Sequence, residues 1–159
     1  MSKFFNVEQL ISDEGRVTMS DPYKTGMFKG LNPYVKKKPL KGKIIVVLDG
    51  KYEQRGLKLI VQPSRGIRVG EVHELIITDE QRGPGDVVNR IAYVGFFEVK
   101  ESAVIVVGDE VKINGKVIGK IAGYDETHMP NHYNIVVNAP GLVTGNEMGI
   151  ELDSEIVIG

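Results

Sequence analysis

The feature that most constrains the fold is an alternation of apolar and polar residues with a period of two, which runs from Lys41 to the end of the chain. This period places successive side chains on opposite faces of a β-strand, whereas a helix would repeat about every 3.6 residues. Val and Ile dominate the apolar positions, and branched side chains suit a half-buried pleated surface. The pattern therefore predicts strands, and no stretch beyond residue 41 predicts a long helix.

Turn residues separate the alternating segments. The predicted strands are Gly42–Leu48, Leu57–Gln62, Val69–Thr78, Val87–Val99, Ala103–Val107, Glu110–Ile113, Lys116–Gly123, His132–Asn138 and Glu155–Ile158. Asn114-Gly115 is the sharpest turn signal, because both residues tolerate the positive φ angles of a type I′ hairpin. Around this turn we expect one face to be apolar, formed by Val111, Ile113, Val117 and Ile121. We predict an all-β fold, a single barrel-like or sandwich domain of about eight or nine short strands.

The first part of the chain differs from the rest, and we predict an irregular N-terminal arm over residues 1–41 before a β domain over residues 42–159. Pro and Gly recur between Asp21 and Leu40, which disfavours regular structure. Residues 1–43 hold 9 Lys/Arg against 4 Asp/Glu, a net of +5, and residues 44–159 hold 11 against 17, a net of −6. Opposite charges predict docking of the arm on its own domain or a neighbouring subunit, so we expect a homo-oligomer. A solvated surface for Lys36–Lys38 is the alternative.

Composition disfavours several classes of function. The 159-residue chain has no Cys, which removes disulfides, thiolate metal sites and a Cys nucleophile. A formal net charge of −1 disfavours nucleic-acid binding, and no apolar run approaches the roughly 20 residues of a membrane helix. Asn6 and Glu8 interrupt any signal-peptide core. We expect a cytoplasmic protein with no nucleic-acid or membrane partner.

A dense polar segment, Tyr124–Asn134, joins two apolar strands and is the main candidate site. The candidate catalytic residues in it are His128, His132, Asp125 and Glu126, and the candidate ligand-binding residues are Asn131 and Asn134. Pro130 prevents a regular helix through both histidines, so we expect them to converge through a turn. A strand that begins at His132 would place His132, Asn134 and Val136 on one face, toward a barrel mouth or a subunit interface.

Three interpretations of this segment stay open. In the first, its side chains only stabilise structure: Asp125, Thr127, Asn131 and Asn134 cap turns, and the histidines bond backbone groups. In the second, a divalent metal is held by His128, His132 and a carboxylate, Glu126 or Asp125, with His73 as a further ligand. In the third, a histidine acts without metal as an acid or base, or binds an anion.

Arginine is concentrated in one region, because five of the six Arg residues lie between positions 55 and 90. A guanidinium presents a rigid fork that suits carboxylate and phosphate groups. We predict that the run Gln62–Arg68 is a loop in which Arg65 and Arg68 hold a small anionic molecule beside His73. The alternative is that these arginines pair on the surface with carboxylates such as Glu53, Asp79, Glu80 and Asp86. The predicted function is small-molecule binding, with an enzymatic reaction as one form of it. The alternative is a structural or interaction protein whose polar loop stabilises a turn or an interface.

Two stretches resemble known families. Gly108-Asp-Glu-Val111, Gly119–His132 (GKIAGYDETHMPNH) and Asn134-Ile135 resemble a small prokaryotic family of unknown function, over roughly residues 40–159. Lys116–Val137, with Glu155–Ile158, is similar in rhythm to the glucitol-type IIA component of the sugar phosphotransferase system. That resemblance implies a β-barrel phosphocarrier, and His73 is the candidate for its phosphorylated histidine, in a different sequence context.

Overall fold

The computed structural model describes residues 32–159. This part of the chain contains twelve β-strands, joined by turns and loops, and no helix. In chain order they are β1 (Leu40–Val47), β2 (Lys51–Tyr52), β3 (Leu57–Lys58), β4 (Ser64–Ile67), β5 (Val72–Thr78), β6 (Val87–Val88), β7 (Ile91–Glu101), β8 (Ala103–Val106), β9 (Glu110–Ile113), β10 (Lys116–Asp125), β11 (Asn134–Asn138) and β12 (Glu155–Ile158). The predicted all-β class is confirmed. Within these residues, no helix is long and apolar enough to cross a membrane.

Seven of the strands form a sheet that closes on itself. Its order is β1-β12-β9-β10-β11-β5-β7, and a second pairing joins β7 back to β1. Neighbours are antiparallel except β5 and β11, which run parallel with Asn134 beside Glu74 and Asn138 beside Thr78. The short strand β2 adds to the end of β7, while β3–β6 and β4–β8 form two separate two-stranded sheets. Closure removes the open edges that a strand would otherwise expose.

Two apolar clusters hold the fold together. The larger lies inside the ring and includes Ile44, Leu75, Phe97 and Ile135, all fully buried. The smaller lies on the outer face of β5 and β11, where Ile76 and Val136 pack against residues of the β3–β6 region such as Leu57 and Val88. The central strand β5 is therefore buried on both faces, which explains its continuous apolar run.

Several predicted boundaries are wrong. The Gln62–Arg68 run is not a loop: β4 occupies its centre and pairs with β8. Strand β11 begins at Asn134 rather than His132, and its outer face does not line an open mouth because the smaller apolar cluster covers Val136. The predicted strand Val87–Val99 is two strands, β6 and β7, which with β2 and β4 raises the count above nine.

The Asn114-Gly115 hairpin is confirmed, with one error in its apolar face. Both turn residues have positive φ, 50° and 80°, and Ile113 pairs with Lys116 across a two-residue loop. A β-bulge between Val117 and Gly119 shifts the alternation, so Val117 is 48% exposed and Ile118 packs on the main cluster instead. A bulge inserts one residue into a strand and exchanges its two faces beyond that point.

The predicted arm over residues 1–41 lies outside the described residues as far as Leu31. Residues 32–39 contain no strand, and β1 begins at Leu40. Residues 34–159 form one compact unit. The arm's boundary, its docking and the homo-oligomer stay predictions.

Candidate functional site

The polar side chains converge where β5 and β11 begin. The backbone N–H of Tyr133 donates to His73 Nδ1 at 3.0 Å, which ties the polar segment to β5. The Arg65 guanidinium lies 5.4 Å from the centre of the Tyr133 ring. We call Arg65, His73, Glu126, His128 and His132 the histidine–arginine cluster. Arg65 and His73 thus both contact Tyr133, in the polar segment.

His73 is held as a neutral imidazole with a defined proton position. It is 2% exposed and packs against the rings of Phe97 and Tyr133. Because Nδ1 accepts a hydrogen bond, the proton of the neutral ring is on Nε2. Burial lowers the pKa of His73, and Glu71, whose Oε1 lies 3.7 Å from Nε2, offsets part of that effect. At neutral pH the ring therefore presents an Nε2–H donor.

Arg65 and Glu126 join β4 to the polar segment. Arg65 Nη2 donates to Glu126 Oε1 at 2.8 Å, and Nη1 donates to the Ser64 carbonyl at 3.2 Å. The Arg65 side chain is 20% exposed and that of Glu126 is 44% exposed. An ion pair in such a partly solvated position contributes only about 0–1 kcal/mol, because water screens it. The carboxylate can therefore leave the guanidinium at small cost.

The two histidines of the segment converge through a turn, as predicted. Their rings stack with centres 5.1 Å apart, and the edge of the Phe96 ring meets His132 at 5.0 Å. His128 is exposed and His132 half-buried. Burial lowers the pKa of His132, the positive charge of protonated His128 lowers it further, and the Asn134 side chain opposes both. His132 is therefore weakly basic, and a nearby anion would favour its protonated form.

Asp125 and Asn134 stabilise the segment itself. The buried Asp125 carboxylate accepts from the backbone N–H groups of Lys58 and Thr127, each at 3.0 Å. It also accepts from Asn134 Nδ2 at 3.1 Å, which fixes the orientation of the amide. These contacts match the first interpretation for Asp125, Thr127 and Asn134. Asn131, the remaining candidate, is exposed on the turn.

Unpartnered buried atoms are concentrated at this site. Within residues 32–159, four buried side-chain polar atoms lack a hydrogen bond: Arg65 Nε, His73 Nε2, His132 Nε2 and Asn134 Oδ1. Native proteins pair the large majority of such atoms with protein, water or ligand. All four belong to the histidine–arginine cluster or to Asn134 beside it. His73 Nε2 lies 3.7 Å from Glu71 Oε1 and the Asn134 side chain acts on His132, so Arg65 Nε is the donor of this set without a nearby acceptor.

Glu74 is a titratable residue that the sequence interpretation missed. It is 9% exposed on the outer face of β5, beside Phe96 and Asn134 in the neighbouring strands. Burial raises its pKa to about 7, and the positive charge of Arg55 opposes the rise. Arg55 Nε donates to the Tyr93 hydroxyl at 3.0 Å rather than to Glu74. The signal in the sequence was a carboxylate next to His73, directly before the apolar residues of β5.

Arg68 directly follows β4, and its backbone N–H donates to the Glu71 carboxylate, which also lies near His73 Nε2. The predicted pair of anion-binding arginines stays a prediction. Three positions along an extended chain place Arg65 and Arg68 on opposite faces. Arg68 instead lines a hollow of about 540 Å³ with Lys37 and Lys38. The alternative for the arginines was pairing with surface carboxylates. Two arginines show it: Arg82 pairs with Glu80, and Arg90 pairs with Glu53 and Asp79.

The predicted metal ligands do not form a set in the described part of the chain. No group of three or more His, Asp or Glu residues there is arranged to hold a metal ion. The divalent metal at His128, His132 and Glu126 stays a prediction.

Comparison with known proteins identifies a family. A model described as a family of unknown function, DUF6917, matches residues 34–159. No curated protein and no solved structure matches the chain.

Proposed function

Because the chain belongs to this family of unknown function, for which no activity is described, we propose from the geometry that the domain binds a small anionic molecule at the histidine–arginine cluster. The observation that supports this proposal is the concentration of unpartnered buried polar atoms at Arg65, His73, His132 and Asn134. The shared ligand chemistry is an oxyanion, either a carboxylate or a tetrahedral phosphate or sulfate group.

Arg65 is the anion-binding residue in this proposal. One side of its guanidinium holds Nε and Nη2; Nη2 bonds to Glu126 and Nε has no partner. A ligand oxyanion that replaces Glu126 could accept from both atoms, and such bidentate pairs are stronger and more specific than single contacts. Glu126 thus occupies the position of the ligand and competes with it.

His132 couples binding to protons in this proposal. It is neutral in most molecules at neutral pH because its pKa is lowered, whereas the Nε2–H of His73 faces Glu71 Oε1 at 3.7 Å. A bound negative charge favours the imidazolium form, so anion binding is accompanied by proton uptake. The same groups could serve proton transfer to a substrate, which is how an enzymatic function would use this site.

Isothermal titration calorimetry of the full chain tests the proposal with sulfate and, separately, malonate as probes. We expect Glu126→Gln to tighten binding about threefold to tenfold, because a neutral amide competes less well for Arg65. Arg65→Gln should weaken binding at least about tenfold. The matched control, Arg68→Gln, should stay within about twofold.

The comparison of the two probes separates a tetrahedral anion from a carboxylate as the preferred class. The proposal fails if Arg68→Gln abolishes binding while Arg65→Gln leaves it intact, since that result would move the anion to the hollow lined by Lys37 and Lys38. It also fails if neither probe binds to Glu126→Gln, the variant in which Arg65 has no charged competitor.

A further inference from the structure

A second cavity lies at the other end of the ring from the histidine–arginine cluster. Strands β5 and β11 are parallel, so their ends at Thr78 and Asn138 lie opposite their beginnings. Here a cavity of about 670 Å³ is lined by the β9–β10 hairpin and by residues 139–150. Its apolar wall includes Ile77, Ile113, Ile118, Val143, Met148 and Ile150.

The volume of this cavity lies in the range of small-molecule binding sites, and two valines that line it are exposed. Small-molecule sites in proteins usually enclose about 300–1,000 Å³ and are mostly apolar, with a few polar groups that orient the ligand. Val117 is 48% exposed and Val143 38% exposed, and both line the cavity. The β-bulge between Val117 and Gly119 places Val117 outside the main core, where it lines the cavity. The apolar wall is thus left partly in contact with water.

The charges around the cavity favour an anion at its edge. Two charged residues line it, Lys116 and Glu147. Glu147 is neutralised by Lys51, whose Nζ lies 3.0 Å from its Oε1, and it also accepts from the backbone of Thr144. The Lys116 side chain is exposed, and its ammonium group forms no ion pair or hydrogen bond with any residue from 32 to 159. The uncompensated charge at the cavity is therefore positive.

We propose that this cavity binds an amphipathic small molecule with a hydrocarbon body and an anionic head group. The hydrocarbon body covers the apolar wall, including Val117 and Val143, and the head group pairs with Lys116. Burial of the hydrocarbon chain supplies most of the affinity, and the head group sets the orientation of the ligand. This site is separate from the oxyanion site at Arg65 and recognises a different class of ligand.

Calorimetric titration of the full chain with decanoate tests this inference. We expect Val117→Asp to weaken decanoate binding at least about tenfold, because a carboxylate would face the hydrocarbon and repel the head group. Lys116→Gln should weaken binding about threefold to tenfold and remove its dependence on salt. The matched controls are Val87→Asp, an equally exposed valine on β6, and Lys120→Gln, on the same strand as Lys116.

The assignment is supported if both control variants bind decanoate within about twofold of the affinity of the natural protein. It is overturned if decanoate does not bind, or if Val87→Asp weakens binding as much as Val117→Asp. Equal affinity for decanol and decanoate would overturn the role of Lys116. Sedimentation measurements test whether a second copy of the chain covers the cavity instead. If Val117→Asp turns a dimer into a monomer while decanoate leaves the dimer intact, the cavity belongs to an interface between two copies and the proposal is overturned.

Discussion

At the residue scale, Glu74 has the most unusual environment in the described chain. It is 9% exposed, it lies beside Phe96 and Asn134 of the neighbouring strands, and no residue from 32 to 159 donates a hydrogen bond to its carboxylate. Burial raises its pKa to about 7, well above its ordinary value of 4.5. The charged form of Glu74 is therefore destabilising in the folded protein, and this effect has a definite dependence on pH.

We expect Glu74→Gln to stabilise the protein at about pH 8 and to leave it unchanged at about pH 4. The folded-state pKa of Glu74 is raised, so its favourable contribution is complete below the unfolded value of 4.5 and is lost as the pH rises through 7. The amide has no such loss. The difference in unfolding free energy at pH 8 should reach about 3 kcal/mol, measured by urea denaturation.

A matched control is Glu98→Gln, because Glu98 is a half-buried carboxylate on β7 that pairs with Lys100. It should change stability by no more than about 0.5 kcal/mol at either pH. The lowered pKa values of His73 and His132 act with the opposite sign and cancel in the difference between variants. Loss of stability in Glu74→Gln at pH 8 would contradict the account of Glu74.

The sequence predicted the polar residues of the site better than their roles. His128 and His132 were identified because several polar side chains lay between apolar strands, and Arg65 because arginine is concentrated between positions 55 and 90. Asp125 was a candidate both for catalysis and for capping the turn, and its oxygens accept from Lys58 of β3 and from Thr127 in the turn. Glu74 was missed because a period of two cannot show which strand face a distant segment will cover.

At the element scale, β7 joins the two ends of the ring and depends on a close approach at Gly95. Strand β7 pairs with β1 on one side and β5 on the other, and both pairings shift register near Gly95. A Cβ atom built on Gly95 would lie 2.3 Å from the carbonyl oxygen of Val46, well inside van der Waals contact. The backbone of β1 could not remain in place beside a larger side chain.

Gly95→Ala should therefore destabilise the protein by about 1–3 kcal/mol, the usual cost of overpacking a buried position. Urea denaturation at neutral pH measures this change. Gly66→Ala on β4 is the matched control, since a Cβ atom there meets nothing within 4 Å and should alter stability by about 0.5 kcal/mol or less. Equal stabilities of the two variants would show that β1 can move aside without loss of ring packing.

The bulges explain why element boundaries were harder to predict than element type. Asn114-Gly115 was identified correctly because its turn chemistry is local. The bulge three residues later depends on Gly119, where a Cβ atom would lie 2.2 Å from the Asn138 carbonyl on the neighbouring strand. That contact joins distant parts of the chain, so the exposure of Val117 was not predictable from alternation.

At the scale of the whole molecule, the closed sheet separates two candidate binding sites. Its interior is filled by the larger apolar cluster, so neither site passes through the ring. The beginnings of β5 and β11 hold the histidine–arginine cluster, and their ends line the apolar cavity with Lys116. Because β5 and β11 are parallel, the two strands begin at the same end of the ring and finish together at the other end.

The all-β class could be predicted because the alternation and turns repeat along the whole domain. The second layer could not: alternation placed strands over Leu57–Gln62 and Val87–Val99, but it does not show that the two-residue strands β3 and β6 pair with each other. Their packing on Ile76 and Val136 converts an expected open face into a buried one.

The central claim, that Arg65 and the histidines bind an oxyanion, is tested most directly by ¹H–¹⁵N NMR of the full chain during a titration with sulfate. We expect the Arg65 Nε–H resonance to shift downfield and the imidazole nitrogens of His132 to move toward the protonated form. The Arg68 Nε–H resonance serves as the internal control and should not move. A shift confined to Arg68, with Arg65 and His132 unchanged at saturating sulfate, would contradict the account.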